Sequence, residues 1–216
     1  MSYFSNNKYS DFEINLFVSY LIVCIVLSIK PYHRLTWLVE NFTVWICLIP
    51  LFYIRITKYR FSNIALFIIF IASILHTIGG YFTFQHVPGG EYIYFLGQCG
   101  RNNFDRLGHL LCGLLTYPFL EFIVARKIIL SRKIASIFSV LCIMGIAALY
   151  ELIEWLDFIV AEIRFSELFL ATQGDSWDAQ ADMFMCLIGS IIAICIFLRV
   201  SSKLNASSFH SSAWRV

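Results

Sequence analysis

An all-α membrane bundle of six transmembrane helices is the fold this sequence predicts, and three observations carry it. Hydrophobic residues make up 59% of the chain and charged residues 14%, where a soluble domain carries about a quarter charged. Six apolar stretches, near residues 14–29, 35–54, 64–84, 107–125, 134–158 and 180–199, approach or exceed the roughly 20 residues that cross a bilayer as a helix. The remaining sequence is too short for a soluble domain. Residues 14–199 therefore read as one membrane domain, between a cytoplasmic segment 1–13 and a disordered cytoplasmic tail 200–216.

The first stretch is the shortest and is followed by Lys30-Pro31-Tyr32-His33-Arg34 with no small-residue cleavage pattern, so it reads as a retained helix rather than a leader. The second is interrupted by Glu40, Asn41 and Pro50. Seven cysteines fall mostly inside the spans without a CxxC pair, which points to small core residues rather than a disulfide framework or a thiolate zinc site. Lys and Arg in short loops set orientation. Lys8, Arg55, Lys58, Arg60, Arg126, Lys127, Arg132, Lys133, Arg199, Lys203 and Arg215 fall on one side. Lys30, Arg34, Arg101, Arg106 and Arg164 fall on the other, so both termini are expected in the cytoplasm. The net charge of +2 is then a topology signal, with membrane lipids as the expected partners, no basic face for nucleic acid and no oligomeric state implied.

With that topology the unusual polar residues share the outer end. His76 lies in the outer half of span three, Asp105, Arg106 and His109 open span four, Glu151 and Glu154 close span five, and Asp175, Asp178 and Asp182 open span six; Glu40 is on the same side. Asp105 and His109 are one helical turn apart, as are Glu151 and Glu154, and Asp178 and Asp182, so each pair can share a helix face. Ionisable groups inside spans normally face the bundle interior or a water-filled cavity. Like charges this close disfavour full ionisation, so the excess must be met by protons, a bound cation or water.

His76, His109, Asp105, Asp178 and Asp182 are the candidate ligands, in a mixed set that suits Zn, Mn or Fe; carboxylates alone would suit Mg or Ca. Glu151 and Glu154 are the candidate catalytic bases. Ordinary structural roles compete: Asp175 as a helix cap with Asp178 in the first turn, Arg106 reaching for headgroups, His76 as a hydrogen-bonded interior histidine, and Gly79-Gly80 as a bend or a close helix approach. Glu154 and Asp157 lie nearest the water, and Glu151 one turn deeper.

"HTIGGYFTFQHVP", "NNFDRLGHL", "ALYELIEW" and "TQGDSWDAQADM" resemble the successive motifs of the YjdF-like inner-membrane proteins of bacteria, over about residues 35–199. More distantly, Asp105 and His109, then Glu151, then Asp182 before Gly189 are similar to the VanZ-like group, associated with teicoplanin resistance. Phe82 and Phe104 stand where Tyr is expected, and Leu110 where Phe is frequent. The resemblance implies the fold, a bacterial inner-membrane location and the position of the site; it implies no reaction.

Three functions are compatible with these residues. A transporter needs polar groups through the membrane thickness, and "NIALFIIFIAS", "IASIFSVLCIMGIA" and "LIGSIIAICIFL" carry no ionisable side chain. A metal-dependent enzyme acting on a lipid or envelope substrate fits better, although G-x-S-x-G, HExxH and P-loop patterns are missing from the sequence. The alternative is a non-catalytic protein whose polar site binds a headgroup or staples the helices.

Overall fold

Residues 10–56, 59–94, 100–160 and 173–212 are described in a computed structural model of the protein. Lys8, Lys58, Arg164 and Arg215, which entered the reading above, lie outside the described residues, as do one of the seven cysteines, Cys99, and the side chains of Asp157 and Lys203. The described chain is helical: α1 (Asp11–Ser28), α2 (Arg34–Ile56), α3 (Asn63–Phe82), α4 (Phe104–Leu114), α5 (Thr116–Ala125), α6 (Arg132–Val160) and α7 (Asp178–Ser212), with a short 3-10 turn at Gly90–Tyr92.

Among the described residues, five stretches are long and apolar enough to cross a membrane: Arg34–Arg55, Asn63–Phe82, Phe104–Ala125, Arg132–Leu156 and Asp178–Ser202. The first expected span is α1, whose 18 residues rise about 27 Å at 1.5 Å each, just short of a hydrocarbon core of ~30 Å. The expected single helix over 107–125 divides at Leu115 into α4 and α5. Pro118 has no N–H to donate to the Leu114 carbonyl, and its ring crowds that oxygen; Leu115 N–H instead closes a tighter turn on Cys112 O at 3.0 Å. Pro50 is tolerated within α2. At the other limit, α7 runs on to Ser212, past the expected end at 199 and into the serine-rich segment expected to be disordered. Extending a helix already nucleated in the membrane costs far less than starting one.

α3 packs against α1, α2, α4 and α5, and α7 against α4, α5 and α6. The α4–α7 contact depends on glycine. A Cβ on Gly113 would lie 2.1 Å from the Cys186 carbonyl oxygen, and one on Gly189 would lie 2.1 Å from that of Leu110. The helices therefore cross backbone to backbone. Gly79 and Gly80 serve the same purpose on α3. A Cβ on Gly79 would enter the Phe84 ring, and one on Gly80 would sit 2.7 Å from Glu40 Cβ. The paired glycines thus provide close approach, with Phe84 folded back over α3 by its N–H bond to Gly79 O (2.7 Å).

The two ends differ chemically. At the basic end, Arg55 pairs with Glu13 (2.9 Å), and the Arg126 guanidinium lies over the Tyr59 ring. Glu121 accepts from Ser62 N–H (2.8 Å), Ser62 Oγ and Tyr59 OH, which ties α5 to the start of α3. At the opposite end, the starts of α4 and α7 meet the ends of α3 and α6.

Replacing Gly189 with Val is expected to cost about 1–3 kcal/mol or more through overpacking, read as a lower unfolding temperature in detergent. Gly145→Ala on α6, where an added Cβ meets nothing within 4 Å, is expected to leave that temperature unchanged or raise it.

Candidate functional site

The loop before α4 is fastened to the loop before α7. Asn102 N–H donates to Gln173 Oε1 and Gln173 Nε2 donates to Asn102 O, both at 2.8 Å. Arg101 contacts Asp178 at 2.5 Å and Asp175 at 3.3 Å. Arg106 contacts Asp175 at 2.6 Å and Asp178 at 3.5 Å. All four side chains are buried to within 8% of full cover. Asp175 also accepts from the Trp177 N–H (3.0 Å). That bond, with Arg106 and Arg101 beside it and burial opposing, holds the Asp175 carboxyl below its ordinary value. Burial acts against the Arg101 charge, but the Asp178 hydrogen bond and charge outweigh it, so Arg101 titrates above its ordinary value.

This clasp sets Asp105 on α4 beside Asp182 on α7. One ligand atom each from Asp105, His109 and Asp182 lies within 4.8 Å of the other two, and all three residues are buried. Glu151 approaches from α6, its Oε1 at 3.1 Å from His109 Nε2, close enough for an ion pair but without an aligned hydrogen bond. His109 Nε2 is 3.8 Å from Asp105 Oδ1. Three buried atoms here have no hydrogen-bond partner: His109 Nδ1, Glu151 Oε1 and Asp182 Oδ1. Such an atom typically costs about 1–3 kcal/mol, so three in one place call for an occupant.

A second group stands alongside. Glu40 on α2, 1% exposed, accepts from Tyr150 OH at 2.6 Å and pairs with His76 Nε2 at 2.9 Å through the same oxygen. The Tyr150 ring lies edge-on between His76 and His109, with centroids 6.1 and 6.0 Å away. Glu154 is buried as well, within electrostatic reach of Asp105, Glu151, Glu40 and Asp182.

The seven residues singled out in the sequence thus meet at one end, with divided partners. Asp105, His109 and Asp182 converge with Glu151. Asp178 is engaged by the two arginines and His76 by Glu40. Glu154, expected nearest the water, is enclosed because α6 continues past it to Val160. Glu40 and Tyr150 were absent from the candidate set. An acid inside an apolar span was signal enough for Glu40; Tyr150 reads in sequence like any interfacial aromatic. Arg101 and Gln173 gave no signal, because their role follows from the meeting of two loops 71 residues apart.

Arg106→Gln leaves two buried acids short of a partner and is expected to cost about 3 kcal/mol in unfolding experiments. Because the Asp175 carboxyl lies below its ordinary value, its contribution is complete above the ordinary carboxylate range and is lost only as pH falls through the depressed value. Hydrogen exchange at Trp177 N–H is expected to stay slow down to about pH 4 and to quicken below it; Asp175→Asn removes that pH dependence.

Comparison with known proteins agrees with this architecture. The family described as "Predicted membrane protein (DUF2238)" matches residues 12–203. The Inner membrane protein YjdF of Escherichia coli (strain K12) is 34% identical over 182 residues, covering 82% of this chain and 85% of that protein. No solved structure matches the chain. The family match spans every helix that supplies a site residue, and this multi-pass helical membrane protein therefore belongs to the DUF2238 family of predicted membrane proteins.

Proposed function

We propose that Asp105, His109 and Asp182 hold a divalent transition metal and that the protein is a metal-dependent enzyme acting on a lipid or envelope substrate. The observation that carries this reading is the convergence of three buried ligand atoms within 4.8 Å, together with the unpartnered His109 Nδ1 and Asp182 Oδ1. Ligand atoms about 2.1 Å from one tetrahedral ion lie about 3.4 Å apart, so the three must draw together by up to about 1.4 Å to hold it. One imidazole and two carboxylates suit Zn, Mn or Fe better than Ca.

A metal in this position supplies Lewis acidity toward a phosphoryl or carbonyl oxygen. Glu151, beside His109 and short of one partner, takes the proton from an attacking water as general base. Asp178, Arg101 and Arg106 position α7 against α4. Glu154 is the second candidate base, and its carboxyl shares the electrostatic environment of the first. The site is assigned to the side of a bacterial inner membrane away from the cytoplasm, because Arg55, Arg126, Lys127, Arg132 and Lys133 lie at the opposite end.

The non-catalytic reading also has an observation in its favour: the clasp and the Glu40–His76–Tyr150 group are satisfied within the protein, as helix staples are. Elemental mass spectrometry on detergent-purified protein separates the two. Near-stoichiometric metal in the native chain, lost in a folded His109→Ala, Asp182→Ala variant, is the expected result. No metal above background in the native chain would leave stapling or headgroup binding as the function.

A further inference from the structure

α1 is inside out by the standard of a soluble helix. Ile22, Ile25 and Val26 are more than half exposed, while its buried residues are Tyr20 and Cys24, one turn apart. Tyr20 lies within electrostatic reach of Thr77 on α3 and Trp45 on α2, and Cys24 within reach of Trp45. α2 contributes Trp37, Asn41 and Trp45, spaced i, i+4 and i+8 along one face, with the Trp37 and Trp45 rings edge to face at 6.2 Å. α3 contributes Thr77, with Ser73 one turn before it, both buried. Asn41 also meets α3 at Gly80, where an added Cβ would lie 3.6 Å from Asn41 Nδ2. Gly80 follows Thr77 by three residues, so the two share a face. Asn41 Nδ2 donates to the Trp37 carbonyl (2.8 Å), which leaves Asn41 Oδ1 for another partner.

Four side-chain atoms in this seam have no hydrogen-bond partner among the described residues: Tyr20 OH, Trp37 Nε1, Asn41 Oδ1 and Thr77 Oγ1. Their residues are at most 5% exposed, and the bilayer offers no bulk water to satisfy them. Polar groups in reach of one another without a direct hydrogen bond are the setting in which a water bridges. The donor and acceptor inventory agrees. Trp37 N–H only donates, Asn41 Oδ1 only accepts, and the two hydroxyls do both. A cation would meet the indole N–H and an anion the amide oxygen; water answers both. We propose that the α1–α2–α3 seam is a binding site for ordered water, which joins Tyr20 and Thr77 to Trp37 and Asn41 and fastens α1 to the bundle. The seam is separate from the proposed metal ligands, which lie on α4 and α7. Asn41 follows Glu40 and Thr77 follows His76 in the chain, so the bridged contact also holds α2 and α3 where Glu40 and His76 pair (2.9 Å).

Two readouts on the detergent-purified protein test this. X-ray radiolysis turns water bound beside a side chain into hydroxyl radicals, which oxidise that side chain where bulk water does not reach. Mass spectrometry is expected to find Tyr20 and Trp37 oxidised, and the buried Leu120 and Phe197 of the apolar core unmodified. Thr77→Val, which removes a hydroxyl at nearly constant shape, is expected to reduce oxidation at Tyr20 and Trp37 severalfold. The unfolding temperature supplies a sign. Deleting a hydroxyl that water satisfies costs stability, whereas deleting a buried hydroxyl that has no partner relieves the fold. Thr77→Val and Tyr20→Phe are each expected to lower the unfolding temperature by a few degrees. Tyr20 and Trp37 as unreactive as Leu120 and Phe197, or oxidation that Thr77→Val leaves intact, overturns the water site. An unfolding temperature that either variant leaves in place or raises does the same. The variants sit on different helices, which keeps the test decisive if one fails to fold.

Discussion

Five carboxyl groups, those of Glu40, Asp105, Glu151, Glu154 and Asp182, are held together at one end of an apolar bundle with two histidines as their nearby titratable bases, and the rest of the structure is arranged around that repulsion. Charges in a low-dielectric surround interact far more strongly than in water, and an uncompensated buried charge is among the costliest features a fold can carry. Asp175 and Asp178 are matched by Arg101 and Arg106, so the guanidinium groups of the clasp are directed at those two acids. The surplus remains with the five. Protons can relieve it, and so can a dication; unpartnered atoms on His109, Glu151 and Asp182 place the need at the α4–α6–α7 junction.

The same junction explains the glycines. Asp105 and Asp182 meet because α4 and α7 cross where Gly113 and Gly189 leave no side chain between the backbones. Dispersion between closely packed helices is a principal attraction available in lipid. Close packing at the crossing, the clasp at the loop ends and the convergence of Asp105, His109 and Asp182 are therefore one arrangement. A larger residue at either glycine would separate the acids as well as loosen the helices. On α3, Gly80 admits Glu40 and Gly79 admits Phe84, whose ring lies 5.2 Å from that of His76.

Much of this was legible in the sequence because the bilayer imposes simple rules. Apolar runs gave the helices to within a few residues, and helical spacing placed Asp105 with His109 and Glu151 with Glu154. Partner choice was less legible. Asp178 and Asp182 are equivalent by spacing, yet one faces two arginines and the other the His109 pocket, a division set by the turn at Gln173–Trp177. Glu154 looked like a helix-end acid because the expected span stops at residue 158, while the helix itself continues to Val160. The break at Leu115 was written in Pro118, whose effect in a span depends on what its neighbours tolerate. The length of α7 past residue 199 had no sequence signal, since serine-rich composition favours disorder without dictating it.

Whether a bound cation resolves the carboxyl repulsion is read most directly from thermal unfolding of the detergent-purified protein with and without a strong chelator. The expected result is a lower unfolding temperature after chelation, restored by adding back one of Zn, Mn or Fe, as required for a ligand that binds the folded state. Asp182→Asn should unfold at a temperature indifferent to chelator. An unfolding temperature of the native protein that neither chelator nor added metal moves would contradict the account and assign the surplus charge to shared protons.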